Sequence, residues 1–300
     1  MSLIPESVRI VEVGARDGLQ NESAPFDSAF REELIRKLLC CGFQNIEMGA
    51  FVSPHWVPKM ADTGPILQHF DTADKSKFSV LVPNLQGLEV AIQHGVKEIA
   101  VFAAASEMFS QKNINCSIKE SIQRFKLVCN EAIQNGIRVR GYISCVLGCP
   151  YQGSVNPIIV ADIAERLLHL GCYEVSLGDT IGVGTANRAA ELIQVVTRHN
   201  PVRHFAVHFH DTYGQALANI YAALQQGIAT IDSAVSGLGG CPYAPGAAGN
   251  VATEDVLYML DGMNIEHNIN SKAVTETAHF VLNKLGKSPI SRVSAATRNL

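Results

Sequence analysis

The chain has 300 residues, of which 47% are hydrophobic and 17% charged, and its formal net charge is −4. A chain of this length buries about three quarters of its unfolded surface, so it can form a large core. The mild negative charge and the lack of a Lys/Arg block argue against nucleic acid as a partner. No apolar run reaches the roughly 18 residues of a membrane-spanning helix, so no membrane partner is expected.

Eight short apolar runs indicate β-strands that are covered on both faces. Most are rich in Val, Ile and Ala and do not alternate strictly with polar residues, which is typical of a buried parallel sheet. The predicted strands are Arg9–Ala15, Gln44–Ala50, Phe78–Val82, Glu98–Ala103, Arg138–Cys145, Tyr173–Gly178, His204–His210 and Thr230–Val235.

Helical patterns lie between these strands. Asp27 can cap a helix that Gly42 ends. Ser117 and Glu120 form a capping box, and Thr185 can open a further helix. Other helical stretches are Gly214–Gln226, Thr253–Gly262 and Ser271–Leu285.

The alternation of strand and helix over about 250 residues predicts an α/β fold, a (β/α)8 TIM barrel. We assign residues 8–268 to the catalytic barrel and residues 269–300 to a short C-terminal helical extension. A doubly wound sheet is less favoured, because no G-x-G-x-x-G follows the first strand. In a TIM barrel the carboxyl ends of the strands form the face that carries the site.

Two histidines stand at the end of the seventh predicted strand. His208 and His210 are two residues apart, so their side chains point to the same face of a strand. The pair is either half of a metal site or two core histidines that are hydrogen-bonded to the backbone.

Charged residues at other strand ends are candidates for the same face. Arg16 and Asp17 follow the first strand. Asp17 could bond its own turn or reach a metal, and Arg16 could bind a carboxylate or a developing oxyanion. Glu47, in the second strand, could form an ion pair with Arg16. It could also act as an acid or a base, or hold another site residue in position. Asp179, after the sixth strand, could cap the next turn or join the polar cluster.

A loop rich in Gly and Pro follows the eighth strand and holds Cys241. A single thiol is usually inert, but over a barrel mouth it is a candidate for proton transfer or nucleophilic attack. Asn250 could cap the next helix or give an amide oxygen to a metal. Asp17, His208, His210 and Asn250 together offer nitrogen and oxygen ligands without a thiolate, which suits Mg²⁺ or Mn²⁺.

The number and spacing of the cysteines indicate the cellular compartment. The eight cysteines include no C-x-x-C pair, and the N-terminal residues carry no secretory signal. A disulfide framework is therefore not expected, and a reducing, cytoplasmic location is predicted.

Six motifs are similar to those of the hydroxymethylglutaryl-CoA lyase family, a group of metal-dependent barrels that make or break carbon–carbon bonds. The motifs lie at Val13–Asn21, Phe51–Pro58, Lys112–Ser117, Ser176–Gly184, Val207–Gln215 and Gly237–Tyr243. The H-x-H and Arg-Asp elements belong to the wider group, whereas the cysteine-bearing glycine loop is more specific. The resemblance covers essentially the whole chain.

This resemblance implies divalent-metal-dependent cleavage of (S)-3-hydroxy-3-methylglutaryl-CoA to acetyl-CoA and acetoacetate, a retro-Claisen reaction. Arg16 would stabilise charge on the thioester oxygen, and Glu47 would support Arg16. The metal ligands that the resemblance implies are Asp17, His208, His210 and Asn250.

The resemblance also implies residues that transfer protons and bind the substrate. Cys241 would protonate the carbanion, and Glu254 could orient Asn250 without touching the metal. Gln20 and Asn113 would contact the substrate. The candidate bases for the hydroxyl proton are His208, Asp17 and Asp179.

Two related reactions stay open as alternatives. A sibling lyase would act on another 3-hydroxy-3-alkylglutaryl-CoA with the same site chemistry, so only pocket volume would distinguish it. A condensing enzyme of the isopropylmalate or homocitrate synthase type would usually carry a further C-terminal region. In each case we expect an acyl-CoA ligand, and a homodimer is the common assembly of such barrels.

Overall fold

The computed structural model describes residues 4–239 and 249–298. Within these ranges, parallel strands pair in chain order and close into a barrel. The strands are β1 Arg9–Glu12, β2 Ile46–Ala50, β3 Phe78–Leu81, β4 Glu98–Ala104, β5 Arg138–Ser144, β6 Glu174–Asp179, β7 Phe205–Phe209 and β8 Thr230–Ser233. The predicted TIM barrel is therefore confirmed.

Helices lie between the strands, and local capping signals start several of them. Asp27 accepts a hydrogen bond from the backbone N–H of Phe30, and the capping box of Ser117 and Glu120 is formed. Gly42, with φ of +100°, follows the first helix in a conformation that favours glycine. The helices are α1 Ser28–Cys40, α2 Thr63–Gln68, α3 Thr72–Lys75, α4 Leu85–Gln93, α5 Glu107–Ile114, α6 Ile118–Gln134, α7 Pro157–His169, α8 Ala186–Val196, α9 Ala216–Gln225, α10 Thr253–Gly262, α11 Ser271–Leu285 and α12 Arg292–Ala296.

The first strand is shorter than predicted. It ends at Glu12 instead of Ala15, because Gly14–Gly18 form a π-helical turn. A Cβ atom on Gly14 would lie 2.6 Å from a carboxylate oxygen of Glu12, so a larger residue there would displace that buried carboxylate. The turn carries Arg16 and Asp17, and such turns occur frequently at functional sites.

The C-terminal helices pack against the barrel. Helix α11 contacts α1 and α10, and α12 contacts α10. The division of the chain after residue 268 falls between α10 and α11, and it stays a prediction. Among the helices of the described ranges, none is long and apolar enough to cross a membrane.

Candidate metal and active site

Asp17, His208 and His210 come together at the carboxyl end of the barrel strands. One potential ligand atom of each lies within 4.8 Å of those of the other two. No other group of three or more His, Cys, Asp or Glu side chains in the described part of the chain meets this criterion. The two imidazole centres are 5.5 Å apart, so both histidines share one face, as their spacing predicts.

The pKa values of two of these side chains, Asp17 and His210, suit a cation. Burial works to raise the pKa of Asp17, but the charges of Arg16 and His208 outweigh it and lower this pKa to about 2. Burial and the neighbouring His208 lower the pKa of His210 to about 4. Asp17 is therefore ionised and His210 neutral at pH 7, which are the forms that bind metals.

An orphaned nitrogen is a second sign of a cation site. Nδ1 of His210 is buried and has no hydrogen-bond partner among the described residues. Buried polar atoms without a partner are rare in folded proteins. The donor set and this orphaned atom fit a divalent metal.

Asn250 lies beside the cluster with its amide nitrogen toward Asp17. Nδ2 donates to Oδ2 of Asp17 at 2.8 Å and to the backbone oxygen of Leu238 at 3.1 Å. The predicted role of Asn250 as an oxygen ligand therefore requires its amide to rotate by half a turn.

Two residues predicted to assist the site form hydrogen bonds elsewhere. Glu254 accepts from the backbone N–H of Ser236 and from a hydroxyl of α12, at 2.9 and 2.6 Å. Asp179 accepts from the backbone N–H groups of Val183 and Gly184, at 3.2 and 2.8 Å. Burial raises the pKa of both carboxyl groups. These contacts match the capping alternative for Asp179, and the assisting roles stay predictions.

Arg16 is buried between two carboxylates. Its Nη1 donates to Oδ1 of Asp17 at 2.7 Å, and its Nε donates to Oε1 of Glu47. Burial works to lower the pKa of Arg16, but the charges of Glu47 and Asp17 outweigh it and raise this pKa. The predicted ion pair of Arg16 and Glu47 is thus present, and it fixes a permanent positive charge beside the metal candidates.

Three buried residues that the sequence interpretation missed connect Arg16 to the histidines. The hydroxyl of Tyr142 donates to Oε2 of Glu47 at 2.5 Å and accepts from Nη1 of Arg140 at 2.8 Å. Arg140 binds both carboxylate oxygens of Asp232, whose Oδ2 lies 3.3 Å from Nδ1 of His208. The one available signal was the presence of polar residues in apolar strands.

Arg16 and the three candidate ligands line a cavity of about 860 Å³. Gln20 and Asn113, the predicted substrate contacts, also line it, and Lys112 and Arg124 add positive charge. The apolar part of the wall includes Leu81, Phe102 and Ile143.

The predicted proton donor, Cys241, lies outside the described residues. The role of Cys241 in the site is therefore predicted from the sequence motif alone.

Comparison with known proteins gives the family. The HMGL-like family model matches residues 7–281. The chain is 55% identical over 293 residues to the 3-hydroxy-3-isohexenylglutaryl-CoA/hydroxy-methylglutaryl-CoA lyase of Pseudomonas aeruginosa, covering 98% of each chain. It is 52% identical over 291 residues to hydroxymethylglutaryl-CoA lyase of Pseudomonas mevalonii, covering 97% of each. A crystal structure of hydroxymethylglutaryl-CoA lyase from Pseudomonas aeruginosa matches with a TM-score of 0.95, 54% identity and 98% coverage of both chains. The chain therefore belongs to the HMGL-like family.

Proposed function

We propose that the protein is a divalent-metal-dependent lyase that cleaves (S)-3-hydroxy-3-methylglutaryl-CoA to acetyl-CoA and acetoacetate. The observation that carries this proposal is the convergence of Arg16 with Asp17, His208 and His210 in one cavity. Such a site pairs a cation-binding cluster with a fixed positive charge, as the cleavage of a hydroxyacyl thioester requires. The names of the similar lyases support this substrate.

The metal is assigned to Asp17, His208 and His210, with Asn250 as a fourth ligand after rotation of its amide. Carboxylate, imidazole and amide donors without a thiolate favour Mg²⁺ or Mn²⁺. When bound, such an ion polarises the substrate's C3 hydroxyl and lowers its pKa.

The reaction begins when a base removes the C3 hydroxyl proton. His208 and Asp17 line the cavity, and His208 Nε2 lies 3.8 Å from Asp17 Oδ2. Asp179 is the weaker candidate, because it is not among the residues that line this cavity. Asp17 and His208 stay the proposed bases, and His208 can serve only while one of its ring nitrogens holds neither a proton nor the metal.

Bond cleavage follows from loss of this proton. The electron pair of the O–H bond forms the C3 carbonyl of acetoacetate, and the bond between C2 and C3 breaks. Its electron pair moves into the thioester as an enolate, whose oxygen Arg16 stabilises. Cys241 delivers a proton to C2, which completes acetyl-CoA. Lys112 and Arg124 suit the phosphate groups of the CoA portion, because both cations line the same cavity.

The direct test is an assay of the purified protein with Mg²⁺ and (S)-3-hydroxy-3-methylglutaryl-CoA. We expect acetoacetate and acetyl-CoA in equal amounts, loss of both after chelation, and recovery when Mg²⁺ is added back. A metal-loaded, folded protein that forms neither product contradicts the proposal. Release of free CoA from acetyl-CoA and a 2-oxo acid would instead indicate a condensing enzyme.

A second candidate substrate is a thioester with a longer alkyl group at C3. The cavity of about 860 Å³ has an apolar wall that includes Leu81, Phe102 and Ile143. The similar lyase from Pseudomonas aeruginosa is named for an isohexenyl as well as a methyl substrate. The ratio of kcat/KM for the two thioesters decides between them, and a higher value for the isohexenyl compound favours this candidate.

We also propose a cytoplasmic homodimer. The described cysteines are free, which suits a reducing compartment. Tyr213, Tyr221 and Tyr258 are 63%, 42% and 72% exposed, and aromatic residues are enriched at protein interfaces. Light scattering checks the assembly against the 32.4 kDa monomer, and cell fractionation checks the location.

A further inference from the structure

A buried carboxylate lies against one of the candidate metal ligands. In the pairing of β7 with β8, His208 stands opposite Asp232. Asp232 is 1% exposed, and its Oδ2 lies 3.3 Å from Nδ1 of His208. Asp232 itself is outside the cluster of candidate ligands.

Asp232 is held in place by two other strands. Arg140 of β5 donates to Oδ1 at 2.7 Å and to Oδ2 at 3.1 Å, in a bidentate pair. The hydroxyl of Ser176, in β6, donates to Oδ2 at 2.7 Å. Bidentate pairs of this kind fix both the position and the plane of a carboxylate. The oxygen that faces His208 therefore has little freedom to turn away.

This contact determines which imidazole nitrogen is available to a cation. A neutral imidazole has one N–H donor and one acceptor nitrogen. A carboxylate accepts hydrogen bonds, so in the neutral ring the contact favours a proton on Nδ1 and a lone pair on Nε2 of His208. Nε2 lies 3.8 Å from Oδ2 of Asp17, on the side of the ligand cluster. The ring of Tyr142 packs edge-on against His208, with centres 5.9 Å apart, and limits rotation of the imidazole.

We propose that Asp232, fixed in place by Arg140, is a positioning residue for His208. It keeps Nδ1 of His208 protonated and Nε2 directed toward Asp17. Asp232 thereby sets the affinity of the site for a divalent cation. The inference rests on the metal site of the proposed function and not on its substrate. Its test therefore measures cation binding without substrate.

Glu174 provides a matched control for Asp232. Its Oε2 accepts from Nε of Arg140 at 2.7 Å, and it is 2% exposed. Asp232 and Glu174 thus neutralise the same guanidinium, but only Asp232 contacts His208. Asp232→Asn and Glu174→Gln each remove one buried negative charge beside Arg140, so a purely structural effect should appear in both variants.

The experiment is calorimetric titration of the metal-free protein with MnCl₂, with thermal unfolding recorded for each variant. We expect Asp232→Asn to bind Mn²⁺ about 10- to 100-fold more weakly, and Glu174→Gln to stay within about twofold of the wild type. Equal losses in the two variants, or wild-type affinity in Asp232→Asn, would overturn the inference. A folded wild-type protein without Mn²⁺ affinity would overturn the metal site of the proposed function as well.

A second measurement uses the wild-type protein, in case Asp232→Asn does not fold. Nitrogen-15 spectra of histidine side chains distinguish protonated from unprotonated ring nitrogens, and His208→Gln identifies the signals of His208. We expect Nδ1 of His208 to be protonated and Nε2 unprotonated when Mg²⁺ is bound. A proton on Nε2 would overturn the inference.

Discussion

Arg16 and Glu47 form a buried ion pair that joins the turn after β1 to strand β2. Arg16 is 6% exposed and Glu47 is 0% exposed. Because Nε of Arg16 binds Glu47 while Nη1 binds Asp17, two edges of the guanidinium are occupied by different carboxylates. The pair therefore fixes the orientation of the cation and not only its charge.

Arg16→Lys tests this orientation. Lysine keeps the positive charge but cannot bind both carboxylates through a planar fork. We expect kcat for thioester cleavage to fall by about 100-fold or more, the size of loss seen when an oxyanion-stabilising donor is removed. Mn²⁺ affinity, measured beside kcat, separates the loss of orientation at the substrate from any effect through Asp17, the candidate ligand that Arg16 contacts. An unchanged kcat would show that charge alone is sufficient.

His210→Ala tests the ligand cluster. The substitution removes one of three donors that lie within 4.8 Å of one another, so Mn²⁺ affinity should fall by at least about 10- to 100-fold. His204→Ala is the control, because His204 contacts the backbone oxygen of Tyr173 and lies outside the cluster. Calorimetric titration of both metal-free variants gives the comparison. Equal affinity in the two would remove His210 from the site.

Cys241→Ser tests the proton donor that the sequence motif implies. A serine hydroxyl is a much weaker acid than a thiol, so we expect kcat to fall by about 100-fold or more. Mn²⁺ affinity should not change, because Cys241 is not one of the proposed ligands. Cys40→Ser, at an exposed cysteine, is the matched control and should keep full activity. Full activity in Cys241→Ser would exclude the thiol from the reaction.

Some parts of the site follow from local sequence, and others depend on distant contacts. The spacing of His208 and His210 fixes their shared face, because the side-chain period of a strand is two. Asp17 could be placed at the same end of the barrel once strand and helix were seen to alternate. These predictions needed only the local period and the topology.

Asp232 and Arg140 could not be found in this way. Asp232 lies in β8 and Arg140 in β5, and the two residues are 92 positions apart in the chain. An inward-facing charge in a barrel strand is tolerated only when a partner from another strand neutralises it. Local sequence does not identify that partner, so the hydrogen-bond network beside His208 could be recognised only from the three-dimensional structure of the closed barrel.

Glu12 is a second buried carboxyl group, at the end of β1 and away from the candidate ligands. Its Oε1 accepts from the backbone N–H groups of Gly14 and Val235, at 2.8 and 2.9 Å. Its Oε2 accepts from the hydroxyl of Thr253 at 2.6 Å. Burial raises the pKa of Glu12 to about 7, although these hydrogen bonds act in the opposite direction.

The raised pKa of Glu12 predicts a loss of stability with rising pH. Folding favours the protonated acid, so this contribution is complete below about pH 4.3, the pKa of an unfolded glutamate, and is lost as the pH rises through 7. The pKa difference corresponds to about 3 kcal/mol. Glu12→Gln keeps an oxygen acceptor and removes the ionisation. The free energy of unfolding of this variant, relative to wild type, should therefore rise by up to about 3 kcal/mol between pH 5 and pH 8 in urea titrations. Glu33→Gln, at a side chain that is 56% exposed, should follow the wild-type profile. Parallel profiles for Glu12→Gln and wild type would show that Glu12 is ionised in the folded protein throughout this range.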